Sequence, residues 1–401
     1  MRRVYRGAFA APVLAAELSG LSPQDRSFVT DLSYGTLRYE RFLDAALAPY
    51  LKRPDKLPED VRIMLRLGSY DLLVRRTPRR AVVNEWVQLC KRRHGRLAGL
   101  VNAVLRKVDV PDATPAERAS VPDWLFARWR DLFGERAEEV AAGMLEPAPL
   151  WLRSYHPDAA QALIEEGCVV TPGPTEKTLA VRPAGPLTQL TAFKRGWVQP
   201  QNPASGLPAS LLQPLADERV LDLASGNGVK AAQLAAGGAR VTAVELDAGK
   251  VSRAEGNLAR LGLSALHLVH DLRTVPDLAP APKVLLDAPC SGTGTLRAHP
   301  EIKRRLTPAN VTALADLQKD MLETAAALTE PGGTLVYAVC ALSAEESAGV
   351  IAPFLETHPD FEPEPFTLTL PHQHTEEGTF VLPIAGMDGF FISRLLRKSS
   401  D

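Results

Sequence analysis

The sequence is poor in cysteine and contains no long apolar run. Its four cysteines, Cys90, Cys168, Cys290 and Cys340, are scattered through 401 residues. They show neither the close pairs of a zinc site nor the density of a disulfide framework, which indicates a reducing, cytoplasmic setting and no bound metal. No stretch reaches the roughly 18 consecutive apolar residues that a membrane helix needs, so we expect no membrane association.

The chain also lacks internal repeats and low-complexity tracts. At 401 residues it is long for one ordinary domain, and 45% of its residues are hydrophobic, so we expect two or three globular domains. The net charge is −1, but residues 1–110 hold 21 Lys and Arg against 11 Asp and Glu. This basic end favours contact with a polyanion, and a set of merely solvated helix faces is the alternative.

Residues 1–110 are predicted to be all-helical, because apolar residues recur at helical spacing in two runs, Val61–Leu72 and Leu97–Leu105. Basic residues cluster at the predicted helix ends and connections, where side chains can reach the phosphates of an RNA backbone. These candidate RNA-binding residues are Arg75, Arg76, Arg79, Arg80, Lys91, Arg92, Arg93 and Arg96.

Two shorter regions follow the helical end. Residues 111–145 begin with a linker rich in proline, aspartate and alanine and continue as a predicted helix from Trp124 to Met144. Residues 146–204 mix short strand-like runs with a helix at Ala159–Glu166. This second region is therefore predicted to be a small α/β module.

Residues 205–401 alternate strand-like and helical runs. The strand-like runs are Val220–Ala224, Arg240–Leu246, Ala265–His270, Lys283–Asp287, Thr334–Val339 and Phe390–Leu396. Such alternation predicts a doubly wound, Rossmann-like and mainly parallel sheet. Sheets of this kind bind ligands beyond the carboxyl ends of their strands, where the strand order reverses.

Acidic residues close three successive predicted strands. Asp222 closes the first, Glu245 closes the second, where a carboxylate can bind both hydroxyls of a ribose, and Asp271 follows the third, near an expected adenine. The turn after the first strand consists of Ser225, Gly226, Asn227 and Gly228. A nucleotide phosphate would favour basic partners, so this set indicates an adenosyl ligand with a cationic sulfonium, with helix capping as the alternative role of each carboxylate.

Two of the four cysteines fall at the same predicted edge. Cys290 stands in a turn flanked by proline and glycine after the fourth strand, and Cys340 comes just past the fifth. Cys90 and Cys168 lie in apolar runs and are interpreted as small buried hydrophobic residues. Because neighbouring parallel strands end at one edge, we expect Cys290 and Cys340 to face one cleft.

A pair of thiols suits methyl transfer to carbon 5 of cytosine. That carbon is a poor nucleophile until a thiolate adds to carbon 6 and makes carbon 5 enamine-like. A carboxyl group near ring N3 favours the addition by sharing a proton. A second thiol near carbon 5 can assist the later loss of the proton there and the elimination of the first thiol.

Several motifs resemble the Sun/Fmu family of RNA cytosine-C5 methyltransferases. They are DAPCSGTG with RAHPEIK, VYAVC followed by Glu345 and Glu346, NLARLG, and the terminal DGFFISRLL. Closer to the start, similarity to the NusB-like RNA-binding domain of the small-subunit rRNA branch is carried by DRSFVTDLSYGTLRYERFLD, LRLGSYDLL, AVVNEWVQL and GLVNAVLRKV. The resemblance covers nearly the whole chain.

The resemblance implies a multidomain protein with an all-α NusB-like bundle, a small α/β RNA-recognition module and, from residue 205 to 401, a class I methyltransferase domain. It implies S-adenosylmethionine as the cofactor and one cytosine of 16S rRNA, modified before subunit assembly is complete, as the substrate. We expect a monomer. The residues expected to hold the cofactor are Asp222, Ser225, Gly226, Asn227, Gly228, Glu245, Lys250, Asp271 and Asp287.

The same resemblance implies four catalytic positions. Cys340 is the expected nucleophile, and Cys290 is expected to help release the product. Asp287 is expected to stabilise the activated cytosine, with Lys230 near the site of methyl transfer.

The match departs from the family in two places. The turn that is usually Cys-Ala-Ala-Pro-Gly-Gly-Lys-Thr keeps a lysine but loses its Pro-Gly-Gly core at residues 224–231, and the usual Ser-Thr-Cys-Ser reads Ala-Val-Cys-Ala at 338–341. Three interpretations stay open: an active rRNA enzyme, a non-catalytic RNA-binding assembly factor, and the same chemistry on another RNA such as tRNA. A DNA enzyme is disfavoured, because that family places its nucleophile in a Pro-Cys-Gln element.

Overall fold

The computed structural model describes residues 1–399, and the chain forms two compact units. The helical unit comprises Met1–Pro147 together with Leu296–Arg305. The sheet unit comprises Ala148–Thr295 and the chain from Leu306 onward. Among residues 1–399, no helix combines the length and the apolar character that crossing a bilayer requires.

Ten α-helices make up the first 147 residues of the helical unit. They are α1 Arg2–Tyr5, α2 Ala10–Glu17, α3 Pro23–Arg38, α4 Glu40–Leu47, α5 Glu59–Leu73, α6 Arg79–His94, α7 Ala98–Lys107, α8 Pro115–Arg118, α9 Asp123–Phe133 and α10 Ala137–Gly143. The all-helical prediction for residues 1–110 is confirmed. Val61 and Leu65 of α5 and Val101 and Leu105 of α7 are fully buried in one core, so the apolar faces read from the spacing do pack inward.

The helix predicted from Trp124 to Met144 is two helices. Gly134, at the end of α9, has a φ of 56°, a left-handed conformation that an α-helix does not continue through. A short turn of 3₁₀ helix follows before α10 begins at Ala137. Apolar periodicity runs through this break, which is why the sequence predicted a single helix.

The stretch Leu296–Arg305 is anchored within the helical unit, although only Thr295 separates it from the DAPCSGTG sequence of the sheet unit. The ammonium of Lys303 donates to the backbone carbonyls of Arg38 at 2.6 Å and Ser120 at 2.7 Å. Burial lowers the pKa of Lys303 to about 7. The motif RAHPEIK therefore includes a partly buried structural lysine, a role that its sequence did not reveal.

The small predicted α/β module is confirmed. Its strands are β1 Leu150–Ser154, β2 Val169–Pro172, β3 Thr178–Arg182 and β4 Val198–Pro200, with helices α11 Ala159–Glu165 and α12 Thr191–Lys194. The strands form an antiparallel sheet in the order β2-β3-β1-β4. β2 was not predicted, because its four residues are mostly exposed and show no apolar alternation.

The large sheet contains the remaining nine strands. They are β5 Arg219–Leu223, β6 Arg240–Glu245, β7 Leu266–Val269, β8 Ala281–Asp287, β9 Thr329–Val339, β10 Phe361–Pro363, β11 His372–His374, β12 Thr379–Val381 and β13 Phe390–Arg397. β7, β6, β5, β8 and β9 lie side by side and parallel, and β13, β12 and β11 continue the sheet antiparallel. The strand order reverses between β5 and β8, the position at which such sheets bind their ligands.

Helices accompany the large sheet as the alternating pattern predicted. They are α13 Pro203–Leu212, α14 Val229–Ala236, α15 Ala248–Arg260, α16 Pro308–Ala327 and α17 Ala348–Thr357. The central strands read as continuous apolar runs, and Val220, Val284, Leu285 and Leu286 are fully buried. This is the expected composition of parallel strands that are covered on both faces.

Candidate active site

Two thiols meet at the carboxyl edge of the large sheet. Cys290 lies in the turn after β8, and Cys340 directly follows β9. The two strands are parallel neighbours, paired in register up to the last residue of β8. The Sγ atoms of Cys290 and Cys340 are 3.2 Å apart. Both of these cysteines are partly exposed, whereas Cys90 and Cys168 are buried.

The Cys290 thiol is held in its protonated form. The hydrogen bond with Cys340 and burial raise the pKa of Cys290 well above the ordinary value of a thiol, and the Glu346 carboxylate adds to the effect. Cys290 can therefore donate its S–H to the sulfur of Cys340. A thiol that donates in this way stabilises negative charge on the sulfur that accepts the hydrogen bond.

An ion pair lies at the same edge. The Lys230 ammonium, near the start of α14, donates to Oδ2 of Asp287, the last residue of β8, at 2.5 Å. Burial lowers the pKa of Lys230, but the carboxylates of Asp287 and Asp222 together with Cys340 outweigh burial, so the net pKa is raised. A charged ammonium thus stands where it attracts negative charge on Cys340. The ring of Phe390 covers it at 5.7 Å, a site residue that sequence reasoning missed.

A buried carboxylate fixes the turn that carries Cys290. Glu346 is fully buried and accepts from the Ser291 backbone N–H at 2.7 Å, from the Ser291 hydroxyl at 2.5 Å and from the Gln318 amide at 3.1 Å. Gln318 also donates to the carbonyl of Pro289 at 2.9 Å. Burial raises the pKa of Glu346, and these hydrogen bonds oppose the rise. Sequence reasoning noted Glu346 only as part of a motif and gave no signal for Gln318, which lies in the middle of α16.

A glycine joins the two cysteine segments. The N–H of Gly294 donates to the carbonyl of Cys340 at 3.0 Å, and the N–H of Gly389 donates to the carbonyl of Gly294 at 2.8 Å. A Cβ atom on Gly294 would overlap the carbonyl oxygen of Gly389. The last glycine of DAPCSGTG is therefore required for this close approach, which holds the two thiols in register.

Unpaired polar atoms lie beneath the turn after β5. Asp222 is fully buried, and neither of its carboxylate oxygens accepts a hydrogen bond of ordinary geometry from a described residue. Burial raises the pKa of Asp222 to about 7 against the opposing effect of Lys230. The Ser225 hydroxyl is likewise buried without a partner among residues 1–399. Buried polar groups without partners mark a place for a ligand's donors and acceptors, so these residues fit a bound S-adenosylmethionine.

The turn itself is tied to the next strand and helix. Glu245, at the end of β6, accepts from the Gly226 N–H at 2.9 Å, and Lys250 donates to the same carboxylate at 3.4 Å. Asn227 accepts from Arg253 through its side chain at 3.0 Å. A Cβ on Gly228, whose φ is 75°, would press against Ala254 of α15, so the turn packs closely on that helix.

Asp271, the acidic residue expected near adenine, is engaged by its own neighbour. Its carboxylate accepts from the side chain of Arg273 and from the Arg273 N–H at 3.0 Å. These hydrogen bonds lower the pKa of Asp271 to about 2. The group is thus ionised and partly exposed, with Arg273 covering one side of it.

The candidate RNA-binding residues divide into two kinds. Arg75 is paired with Asp31 at 3.0 Å and Asp71 at 2.6 Å, and Arg79 donates to the carbonyls of Leu105 and Val108. These two side chains therefore support the helical unit. The other six are exposed and form no ion pair with any residue from 1 to 399: Arg76, Arg80, Lys91, Arg92, Arg93 and Arg96.

Comparison with protein families accounts for both ends of the chain. Residues 209–396 match the family described as 16S rRNA methyltransferase RsmB/F. Residues 4–109 match the NusB family. The two matches fall on the large sheet and on the helical unit, respectively.

Curated relatives match over almost the whole length. The chain is 45% identical to ribosomal RNA small subunit methyltransferase B of Thermus thermophilus over 400 residues, which covers 99% of this chain and 96% of the relative. It is 33% identical to the probable ribosomal RNA small subunit methyltransferase B of Bacillus subtilis, covering 94% of this chain and 92% of the relative.

Solved structures share the fold. The structure of PH0851 superposes with a TM-score of 0.79 at 24% identity, covering 95% of this chain and 92% of that one. NSun6 from Pyrococcus horikoshii, solved with SFG, gives a TM-score of 0.62 at 22% identity, covering 70% of this chain and 99% of that one. With the full-length identity to curated relatives, the chain belongs to the RsmB/F family of S-adenosylmethionine-dependent 16S rRNA methyltransferases.

Proposed function

We propose that the protein methylates carbon 5 of a cytosine in 16S rRNA through a covalent bond between Cys340 and carbon 6 of the base. The observation that carries the proposal is the contact between the sulfur atoms of two partly exposed cysteines, 3.2 Å apart, at the ligand-binding edge of the sheet. Methylation of an exocyclic amine does not require two thiols at this position, whereas activation of carbon 5 requires a nucleophile.

The first step is the addition of Cys340 to the base. The Cys340 thiolate forms the Sγ–C6 bond, the electrons of the 5,6 double bond move toward carbon 5 and the ring, and N3 takes up a proton from solvent. The Lys230 ammonium favours the attacking thiolate by its charge. Asp287, paired with that ammonium at 2.5 Å, presents a carboxylate to the protonated N3 or to the amino group of the base.

The carboxylates around the turn after β5 form the cofactor site. S-adenosylmethionine, when bound, supplies the methyl group on a cationic sulfonium. Asp222 and Ser225 provide buried polar atoms that have no partner among residues 1–399, and Glu245 offers oxygens to the ribose hydroxyls. The ionised carboxylate of Asp222 also favours a cation over a phosphate-bearing nucleotide.

The second half of the reaction explains the protonated Cys290. Once Cys340 is bonded to carbon 6, it can no longer carry negative charge or accept as a thiolate. The hydrogen bond with Cys340, which is the largest cause of the raised pKa of Cys290, is then removed. Cys290 therefore loses its proton more readily to solvent. Its thiolate takes the proton from carbon 5, and the electrons of that C–H bond restore the 5,6 double bond. The electron pair of the Sγ–C6 bond leaves with Cys340 as a thiolate, and N3 returns its proton to solvent.

The test compares two substitutions. Cys290→Ala should accumulate a covalent protein–RNA adduct that survives denaturing electrophoresis, because release is blocked. Cys340→Ala should form none and should not methylate. Cys168→Ala, which changes a buried thiol elsewhere, is the matched control and should turn over without accumulating adduct. Methylation by Cys340→Ala would show that the roles are wrongly assigned.

The proposal extends to the state of the substrate. A cytosine must leave its stacked position to reach the thiols, so free 16S rRNA before subunit assembly is a more accessible target than the finished particle. We expect the protein to act as a monomer in the cytoplasm. Methyl transfer should be much faster on deproteinised 16S rRNA than on assembled small subunits, and light scattering should give the mass of one chain.

A non-catalytic assembly factor is the second candidate. It is favoured by the apolar neighbours of Cys340: Ala338, Val339 and Ala341 are buried and offer no hydroxyl to the thiolate or the base. Titration calorimetry with S-adenosylmethionine separates the two candidates, because a factor without chemistry has no need to bind it. Bisulfite sequencing of rRNA and tRNA from a deletion strain would separate 16S rRNA from a tRNA substrate.

A further inference from the structure

A polar groove lies between α6 and α7 of the helical unit. It encloses a volume of about 960 Å³. Four of its lining residues are cations. Arg79 is bound to backbone carbonyls of α7 and of the residue that follows it, and we call the other three the groove cations: Arg80, Lys91 and Arg106. Three are carboxamides, which we call the groove amides: Asn84, Gln88 and Asn102.

The groove residues of α6 form one continuous stripe. Arg80, Asn84, Gln88 and Lys91 follow one another at intervals of four, four and three, which places them on one face of the helix. The stripe is about 16 Å long at 1.5 Å per residue. A cation thus stands at each end, with two amides between them.

The groove is built into the helical core. Arg79 donates to the carbonyls of Leu105 at 2.9 Å and Val108 at 2.8 Å, which ties the start of α6 to the end of α7. Val83, at its floor, belongs to the buried core. On α7, Arg106 donates to the Asn102 side chain at 3.2 Å, which orients that amide. The groove therefore exists before any partner arrives.

Charge distinguishes this groove from the other cavities beside α6. None of its lining residues is acidic, and Arg80 and Lys91 form no ion pair with residues 1–399. The cavity lined by Arg75 and Arg92 also contains Asp71 and Glu85. These two carboxylates offset the two arginines there, whereas no lining carboxylate balances the positive charge along the groove between α6 and α7.

The cavity lined by Arg93 contains side chains of both charges. In it Arg2 pairs with Asp60 and Arg3 pairs with Glu17. A cavity with both charges does not select strongly for a polyanion. Of these three cavities beside α6, the one between α6 and α7 matches a chain of phosphates best.

We propose that the groove binds a single-stranded segment of the substrate RNA, with the groove cations on phosphates and the groove amides on base edges. Carboxamides carry a donor and an acceptor side by side and pair with base edges in two hydrogen bonds. Sequence-specific recognition of RNA needs unstacked bases, because the major groove of duplex RNA is too narrow to be read. The inference rests on the proposed RNA substrate and adds how the helical unit chooses it.

Fluorescence anisotropy of the full-length protein tests the cations. The probes are fluorescein-labelled 12-nucleotide oligo(U), oligo(A) and oligo(C), and 16S rRNA transcribed in vitro is the competitor. The double variant Arg80→Gln/Lys91→Gln should bind every probe about tenfold more weakly. The slope of log affinity against log salt concentration should become shallower by roughly 1.4, or 0.7 for each cation. Lys52→Gln with Arg53→Gln, two exposed cations outside the groove, is the control with the same charge change and should have a small effect.

The groove amides are tested by their effect on the preference of the protein among the three oligonucleotides. Asn84→Ala with Gln88→Ala should leave the salt slope unchanged and bring the affinities for the three oligonucleotides closer together. Two outcomes overturn the proposal: equal losses in the cation variant and its control, or an amide variant with the wild-type order and ratio of affinities. If an acidic protein occupies the groove instead, the Arg80→Gln/Lys91→Gln variant binds RNA like the wild type, which also overturns it.

Methyl transfer is measured in parallel on the wild-type protein. If the wild type methylates no RNA but the groove variants bind more weakly, the proposed function fails and the groove assignment stands. If the wild type methylates 16S rRNA and the groove variants bind normally, the groove assignment alone fails. Circular dichroism of each variant verifies that α6 is still folded.

Discussion

The buried carboxylate of Glu346 accepts two hydrogen bonds from Ser291, one from the backbone N–H at 2.7 Å and one from the hydroxyl at 2.5 Å. Ser291 directly follows Cys290, so this contact sets the position of the thiol without touching it. A carboxylate accepts from every donor around it, and a carboxamide must turn its own donor toward one of them.

Glu346→Gln should therefore loosen the Cys290 turn. We expect methyl transfer to fall by about 100-fold, the usual effect of a 1 Å displacement of a reacting group. We expect the free energy of unfolding to fall by about 1–3 kcal/mol, because one buried donor loses its acceptor. Rapid-quench measurement of methyl transfer should show the loss in the maximal rate, with the dissociation constant of S-adenosylmethionine unchanged. Glu345→Gln, one residue away and partly exposed, is the matched control; an equal loss there would argue against the positioning role.

Gly294 should not tolerate a side chain. Gly294→Ala places a Cβ against the Gly389 carbonyl and should lower the free energy of unfolding by about 1–3 kcal/mol. The matched change, Gly256→Ala, lies within α15 with open space around it and should raise stability by roughly 0.5–1 kcal/mol. Urea denaturation measures both, and a stabilising Gly294→Ala would contradict the close approach described.

Binding of S-adenosylmethionine should depend on pH through Asp222. Burial raises its pKa to about 7 in the free protein, with Lys230, Asp287 and Glu245 as the charged groups around it. A ligand that donates to the carboxylate or carries positive charge binds the ionised form. Affinity should therefore fall as pH is lowered below 7 and level off above it.

Calorimetry at pH 6 in buffers of different ionisation enthalpy should detect release of a proton on binding, and none at pH 8.5. Asp222→Asn cannot ionise, so it should bind more weakly and without this dependence. Uptake of a proton at pH 6, or the same profile in Asp222→Asn, would assign the effect to another group.

The contact between Cys290 and Cys340 should be detectable by oxidation. Their sulfur atoms, 3.2 Å apart, need to move by only about 1 Å to reach a disulfide bond length. Oxidised glutathione should form this bond by thiol–disulfide exchange, with loss of two hydrogens from the protein and release of two reduced glutathiones. Mass spectrometry of unreduced peptides should find Cys290 joined to Cys340, and dithiothreitol should restore activity. Glutathione that stays attached to Cys290 or Cys340, without formation of the disulfide between them, would show that the thiols are farther apart.

Much of the fold follows from the sequence because its signals are local. Helical spacing marked Val61 and Leu65 as core, and the alternation of strands and helices after residue 205 predicted the parallel half of the sheet. The three-residue strands β10, β11 and β12 were missed, since a strand of that length shows no alternation. They form by pairing with β13 or with each other, which is information held in the rest of the chain.

The site was predictable where it depends on strand ends and less so where it depends on tertiary contacts. The placement of Cys290 and Cys340 on neighbouring strands follows from the topology of a doubly wound sheet. The contact of Gln318 with Glu346 joins residues that are 28 positions apart in the sequence, and no sequence spacing predicts it. Likewise, charge alone did not reveal that Arg75 and Arg79 are used inside the helical unit.

The most direct test of the central claim uses 16S rRNA transcribed with 5-fluorocytidine in place of cytidine. Fluorine cannot leave carbon 5 as a cation, so the reaction should stop after methyl transfer with the base still bonded to the enzyme. After incubation with S-adenosylmethionine and digestion, mass spectrometry of the wild-type protein should find a methylated fluorocytidine nucleotide on the peptide that contains Cys340. The same nucleotide on Cys290, or no modified peptide while unsubstituted 16S rRNA is methylated normally, would contradict the account.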